Sequence, residues 1–228
     1  MYTVIIIGCG ATGSNLITLL SQYSISEKKI KNIVLVDGDN VESKNFRNQK
    51  FTMKDVNENK ARVLSNRYSK LGIDISYVPE YISDTEKLIN LIKSYDNVIL
   101  VGAVDNNNAR QHMHKAFIEE RIQSLIYIDT GNGDGDGDNR LGQTVCGAKY
   151  KGKIVKPPVA DIYPQILETE KEKDKIEYHC SQIEEHPQNF VVNVISATVT
   201  FTMINNIVSL GKVKKSIVKF NADNISVE

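Results

Sequence analysis

The chain has 228 residues, with 28 Lys+Arg balanced by 28 Asp+Glu. That length suits one α/β unit with a large core, and the even charge argues against bulk attraction to nucleic acid or to a membrane surface. The three cysteines, Cys9, Cys146 and Cys180, are far apart and odd in number, which argues against a disulfide framework and a tetrathiolate zinc site and fits a reducing compartment. The apolar start ends too abruptly at Gly8 to read as a secretion signal, so a cytoplasmic location is expected.

Val4 to Ile7 has strand length and runs into Gly8-Cys9-Gly10-Ala11-Thr12-Gly13, after which Ser14 to Tyr23 has helix-spaced apolar positions. Ile33 to Val36, Ile75 to Val78, Val98 to Val101 and Leu125 to Ile128 continue as strands. Helical patterns cover Lys60 to Leu71, Asp84 to Lys93 and Asn106 to Glu119. This alternation specifies an α/β fold, a Rossmann-like, doubly wound, mainly parallel sheet. Ligands of such sheets bind at the carboxyl ends of the strands, so the loops starting at Gly8, Asp37, Gly102 and Asp129 should face one crevice. Beyond them, Asp129 to Asn139 reads as a loop and Gly142 to Ala148 as another strand. A long crossover loop is expected over about 157–188, with a charge run from Glu168 to Glu177. Phe190 to Leu210 carries too many Asn, Ser and Thr residues for a bilayer span and reads as a buried helix, and Ser216 to Phe220 extends the sheet. Residues 1–228 are thus expected to form a single domain, with its nucleotide-binding core over 1–130 and a C-terminal helix and strand over 190–228.

The glycine loop, set between strand and helix, points to phosphate binding but does not separate a dinucleotide from a triphosphate. Asp37 ends the second strand, where an acid accepts from ribose hydroxyls. Asn45, Arg47 and Lys60 follow closely. Each alone is commonly a surface residue, but together they can supply the donors and cations needed when a triphosphate is cleaved between its α and β phosphates. Asp105, just past the fourth strand, can hold Mg²⁺ or cap the next helix.

Gly8 to Gly13, Asp37 with Asp39, Asn45, Arg47, Lys60, and Asp105 with Arg110 together resemble the ordered motifs of the ThiF/MoeB family, which activates ubiquitin-like and sulfur-carrier proteins. Within it, the chain resembles the compact bacterial ThiF-like proteins of the PRTRC type. The resemblance implies ATP and Mg²⁺ as cofactors. The nucleotide would contact Gly8, Gly10, Thr12, Gly13, Asp37, Asp39, Asn45, Arg47 and Lys60, and Asp105 would hold the metal. The implied reaction is adenylation of the C-terminal carboxylate of a ubiquitin-like or sulfur-carrier protein ending in Gly-Gly. The catalytic set would be Arg47, Lys60, Asp105 and Cys180, the last accepting the acyl group within the crossover loop or standing there as an incidental thiol. A conjugating-enzyme-like partner and a homodimer are further implications. Family members read Asn-Leu-x-Arg-Gln, whereas here Arg47 comes one residue early and Asn48 takes the arginine position. Asn57 stands where the family has glycine.

The paired Cys-x-x-Cys zinc ligands common in the family are missing from the sequence, so no zinc is expected. Asp134, Asp136 and Asp138 alternate like a calcium loop, but Asn139 and Val145 occupy its glycine and glutamate positions, which favours an acidic turn. His112 and His114 fall on different helix faces. Two other classes stay open on the residues alone: a catalytically weak scaffold subunit of a ThiF-like dimer, and a nicotinamide-dependent oxidoreductase that would leave Asn45, Arg47, Lys60 and Asp105 without a role.

Overall fold

The computed structural model describes residues 1–133, 140–168 and 189–228. At its centre β1 (Tyr2–Ile7) lies between β2 (Ile30–Val36) and β4 (Val98–Gly102). Outward, β3 (Ile75–Val78) pairs with β2 and β5 (Leu125–Asn132) with β4, all in parallel. The apolar run of β1 serves both faces of the sheet: Val4 and Ile6 join one core cluster while Ile5 and Ile7 join the other. A strand covered on both sides needs no polar alternation. Each such fully buried side chain contributes about 1.5–3 kcal/mol relative to exposure.

On one face lie α1 (Ala11–Ser26), α2 (Lys60–Tyr68) and α6 (Phe190–Leu210), which contribute Leu16, Leu20, Leu64 and Ile204 to the core. The other face is covered by α3 (Thr85–Lys93), α4 (Asn107–Ile118) and the short α5 (Val159–Ile162), through Ile89, Met113, Phe117 and Val159. Side chains set several starts: Asp84 Oδ1 accepts from the Glu86 N–H at 2.8 Å, and Asn106 Oδ1 from the Ala109 N–H at 2.9 Å. The α2 pattern stops at Tyr68, and the short 3₁₀ turn after it ends on Gly72 at φ 79°. By length and composition α6 could cross a membrane, yet it packs against α1, β5 and β6 (Leu141–Tyr150). Some of its hydroxyls return to the helix, as when Thr198 Oγ1 donates to the Val194 carbonyl at 2.9 Å.

Beyond β5 the sheet turns antiparallel. β6 pairs with β5, with β7 (Lys153–Lys156) and with β8 (Ile217–Asn221), and β9 (Ser226–Val227) closes the edge. The order is β3-β2-β1-β4-β5-β6-β8-β9, with β7 on β6. This corrects one expectation: Asp129, Thr130, Gly131 and Asn132 are strand rather than loop residues, because β6 supplies hydrogen-bonding partners that carry β5 on to Asn132. The short strands β7 and β9 were not legible in the sequence, since a few residues rich in lysine or serine carry no alternation.

Asn57 adopts the left-handed conformation, φ 68°, and its N–H donates to the Val41 carbonyl at 2.9 Å. A position that the family fills with glycine thus keeps its backbone through Asn, the side chain that best tolerates this region. Because Asn57 is exposed, packing should not obscure the backbone effect. Asn57→Ala is expected to lower the unfolding free energy in urea by about 1 kcal/mol, while Asn57→Gly leaves it unchanged or raises it slightly.

Candidate nucleotide site

The glycine loop divides its tasks by position. Gly8 turns at φ 94°, and a Cβ there would lie 2.5 Å from the Ala103 carbonyl oxygen; a Cβ on Gly13 would lie 1.9 Å from that of Gly8. Both therefore let backbone pack on backbone. At Gly10 a Cβ would meet nothing within 4 Å, so its lack of a side chain leaves room above the loop rather than beneath it. No side chain caps α1 and its first turn holds no acid. Its free N–H groups and positive dipole end are thus left for an anion.

Asp37 ties this loop to its neighbour. Its Oδ2 accepts from the Cys9 N–H at 2.6 Å and its Oδ1 from the Asp39 N–H at 2.8 Å, with lone pairs to spare for ribose hydroxyls. Burial pushes the Asp37 carboxyl up, and the two N–H groups with nearby Lys60 only partly offset it. Burial also drives the Cys9 thiol well above its ordinary value, with Asp37 adding to the effect, so this cysteine is an inert packing residue.

The next turn is clipped to the start of α2. Asn59 donates through Nδ2 to the carbonyls of Asp37 (2.8 Å) and Asp39 (3.1 Å), while its Oδ1 caps α2 by accepting from the Arg62 N–H. This places Lys60, whose side chain is only 8% exposed, with Nζ 2.9 Å from Asp39 Oδ2. Tyr81, in the loop after β3, donates its hydroxyl to Asp39 Oδ1. Burial pushes Asp39 up, but the bonds from Lys60 and Tyr81 outweigh it and hold the carboxyl below its usual value. Accepting by Asp39 pushes the Tyr81 phenol up to about 12.

On the other side of the glycine loop, Asp105 is exposed in the turn after β4; the cap of α4 is its neighbour Asn106, so Asp105 does not have the capping role. Arg110 donates through Nε to the buried Asp129 at 3.1 Å and through Nη2 to the Val104 carbonyl at 2.7 Å. Burial raises the Asp129 carboxyl, opposed by Arg110 and the Tyr127 hydroxyl. Among the described residues no group of three His, Cys, Asp or Glu side chains is placed to hold a metal ion. A divalent cation fits here only with Asp105 supplying one ligand and phosphate or water oxygens the rest, the mode that Mg²⁺ favours.

A fourth group joins β5, α1 and α6. Thr12 Oγ1 donates to Asn193 Oδ1 at 3.2 Å, Asn132 donates to the same oxygen, and Ser196 donates to Asn132. Gln49, in the position of the family's glutamine, lines the cleft with its buried Oε1 unpartnered among the described residues. An acceptor left this way suits a donor on a bound molecule.

Gly8, Gly10, Thr12, Asp37, Asp39, Lys60 and Asp105 all line one cleft of about 430 Å³. Gly13 lies behind it against Gly8. Asn45 and Arg47 are not in its lining. Asn45 is buried, and its Oδ1 accepts from the Glu42 N–H at 2.8 Å, closing a capping box around the 3₁₀ turn Ser43–Arg47. Arg47 ends that turn, exposed. Cys180, His179 and the Asp134, Asp136 and Asp138 turn lie outside the described residues. The sequence reading missed Tyr81, Gln49 and Asn132, and only Gln49 had a signal, its place beside the Asn-x-Arg run. Cys146 is buried in β6 as expected, and His112 and His114 do separate, the first meeting Thr85 and the second lying 4.0 Å from Asp161.

A parallel sheet with a glycine loop after β1, an acid after β2 and a clamped lysine opening α2 defines a Rossmann-like α/β protein with its cleft at the carboxyl ends of the strands. More specifically, the chain belongs to the ThiF family, whose model matches residues 1–209. No curated protein sequence matches the chain. Among solved structures it is similar to E. coli MccB with AMPCPP and MccA, at 21% identity and a TM-score of 0.69 over 99% of this chain and 62% of that one. PaaA is similar at 16% identity and a TM-score of 0.70, covering 100% of this chain and 63% of that one. E. coli MccB with ATP gives 20% identity and a TM-score of 0.67, over 99% and 62%. These likenesses establish the fold, and the chain spans a little over three fifths of the length of the proteins it matches.

Asp39→Asn leaves the Lys60 ammonium largely buried beside a neutral group. Since Asp39 is half exposed, solvent screening trims the loss to about 1–2 kcal/mol at neutral pH, measured by urea unfolding. The folded-state pKa of Asp39 is lowered, so its stabilisation is complete above the unfolded carboxylate value and lost as pH falls through the folded one. Wild type and variant should converge in acid.

Proposed function

We propose that this protein uses MgATP to adenylate the C-terminal carboxylate of a small protein or peptide. The observation that carries this reading is the single cleft shared by the glycine loop, Asp37, the Asp39-held Lys60 and Asp105. Family membership supports it, as do the structures of MccB with ATP and with N-formylated MccA. The finer reading, a ubiquitin-like or sulfur-carrier substrate ending in Gly-Gly, with transfer to Cys180 in a cytoplasmic homodimer, belongs to the same proposal. An apolar groove of about 620 Å³ along α6 and β8 supports the pairing of copies.

In this mechanism the N–H groups at the start of α1 receive the phosphates and Asp37 accepts from the ribose. A carboxylate oxygen of the partner attacks the α-phosphorus, the bond from that phosphorus to the bridging oxygen breaks, and pyrophosphate leaves with the bonding pair. The nucleophile is ionised at neutral pH, so no general base is required, and catalysis rests on positioning and charge. Lys60, released from or shared with Asp39, lies where it can offset charge on the phosphates. Mg²⁺ at Asp105 would supply further charge neutralisation. Arg47, outside the cleft lining, favours a second reading: a catalytically weak subunit that depends on an active homologue.

The test is isotope exchange between pyrophosphate and ATP with a panel of Gly-Gly-ended small proteins and short peptides. Partner-dependent exchange is expected, with Lys60→Ala and Asp105→Ala each slowing it about a hundredfold. Intact ATP binding without exchange for any partner would favour the weak subunit, and binding of nicotinamide dinucleotide in place of ATP would sink the adenylation reading.

A further inference from the structure

The adenylation reading leaves one conspicuous cleft residue without a role. Tyr81 is 65% exposed although it is a large aromatic side chain, and it lines the cleft beside Asp39, Lys60 and Ile82. An exposed tyrosine usually roams. This one is fixed twice, by its hydroxyl on Asp39 and by its ring on Gly38. A Cβ at position 38 would come within 2.6 Å of ring atoms Cγ and Cδ2 and 2.7 Å of Cε2, so the ring occupies the space that any other residue's side chain would need. The sheet order then locates it. Neighbouring strands β1, β2 and β3 end in the glycine loop, in Asp37 and in the Tyr81 loop. A nucleotide with phosphates on the first and ribose on the second reaches the third with its base.

We infer that Tyr81 is the residue that selects for a base: its ring stacks on the purine, and its hydroxyl bond to Asp39 holds the ring in place. This rests on the nucleotide reading above and goes beyond it by naming how a nucleoside triphosphate is told from bare polyphosphate. Because Asp39 also holds Lys60, the same carboxylate joins the base end of the cleft to its phosphate end.

Calorimetric titration of the full chain with ATP and with inorganic tripolyphosphate tests this. Tyr81→Ala should weaken ATP about tenfold while tripolyphosphate stays within about twofold, and Tyr81→Phe, which keeps the ring but loses its bond to Asp39, should fall between wild type and Tyr81→Ala. Gly38→Ala, by displacing the ring, should mimic Tyr81→Ala. Thermal unfolding confirms that each variant is folded, as expected for an exposed side chain. An unchanged ratio of ATP to tripolyphosphate affinity in Tyr81→Ala, or a Phe variant as weak as Ala, overturns the inference and leaves the nucleotide reading standing. A wild-type chain that binds no ATP overturns both.

Discussion

The carboxylate of Asp37 accepts one N–H from the glycine loop and one from its own turn, and the cleft is organised around that bridge. It ties the glycine loop after β1 to the turn after β2, so that the two loops stand at a fixed separation. Asn59 binds the carbonyls of the same turn, which fixes where α2 begins and therefore where Lys60 points. A carboxylate pushed up by burial is an unstable choice for such a joint. The N–H donors make it tenable, and a ribose hydroxyl would add another.

Asp39 couples the two ends of the cleft. With Lys60 on one oxygen and Tyr81 on the other, it neutralises a nearly buried ammonium and pins an exposed aromatic ring. Under the proposed function both members would take new partners on nucleotide binding, phosphate for Lys60 and a base for the Tyr81 ring. A cation kept beside a half-exposed carboxylate stays in place without the full cost of burying it alone.

The far wall is built by another logic. β5 outlasts its parallel partner because β6 hydrogen-bonds to it along its length, and this carries Thr130 and Asn132 to the cleft. Asn132 then meets Thr12, Asn193 and Ser196, fastening α6 to the start of α1. Part of the polar content of α6 is thus accounted for by this junction. Asn193 keeps one buried amide nitrogen without a partner among the described residues.

Periodicity and glycine placement in the sequence determined the α/β class, the five parallel strands and their helices, because strands buried on both faces and amphipathic helices leave patterns that need no tertiary knowledge. The glycine loop, Asp37, Lys60 and Asp105 were legible for a related reason, each following a strand or opening a helix, whereas Asp39 was assigned through the family resemblance. Only the tertiary structure decided the rest. Asn45 became a local cap and Arg47 the exposed end of a 3₁₀ turn, because one capping box fixed that segment's orientation. Tyr81 and Asn132 entered the cleft through strand order and antiparallel pairing, which bring together residues that no sequence spacing relates.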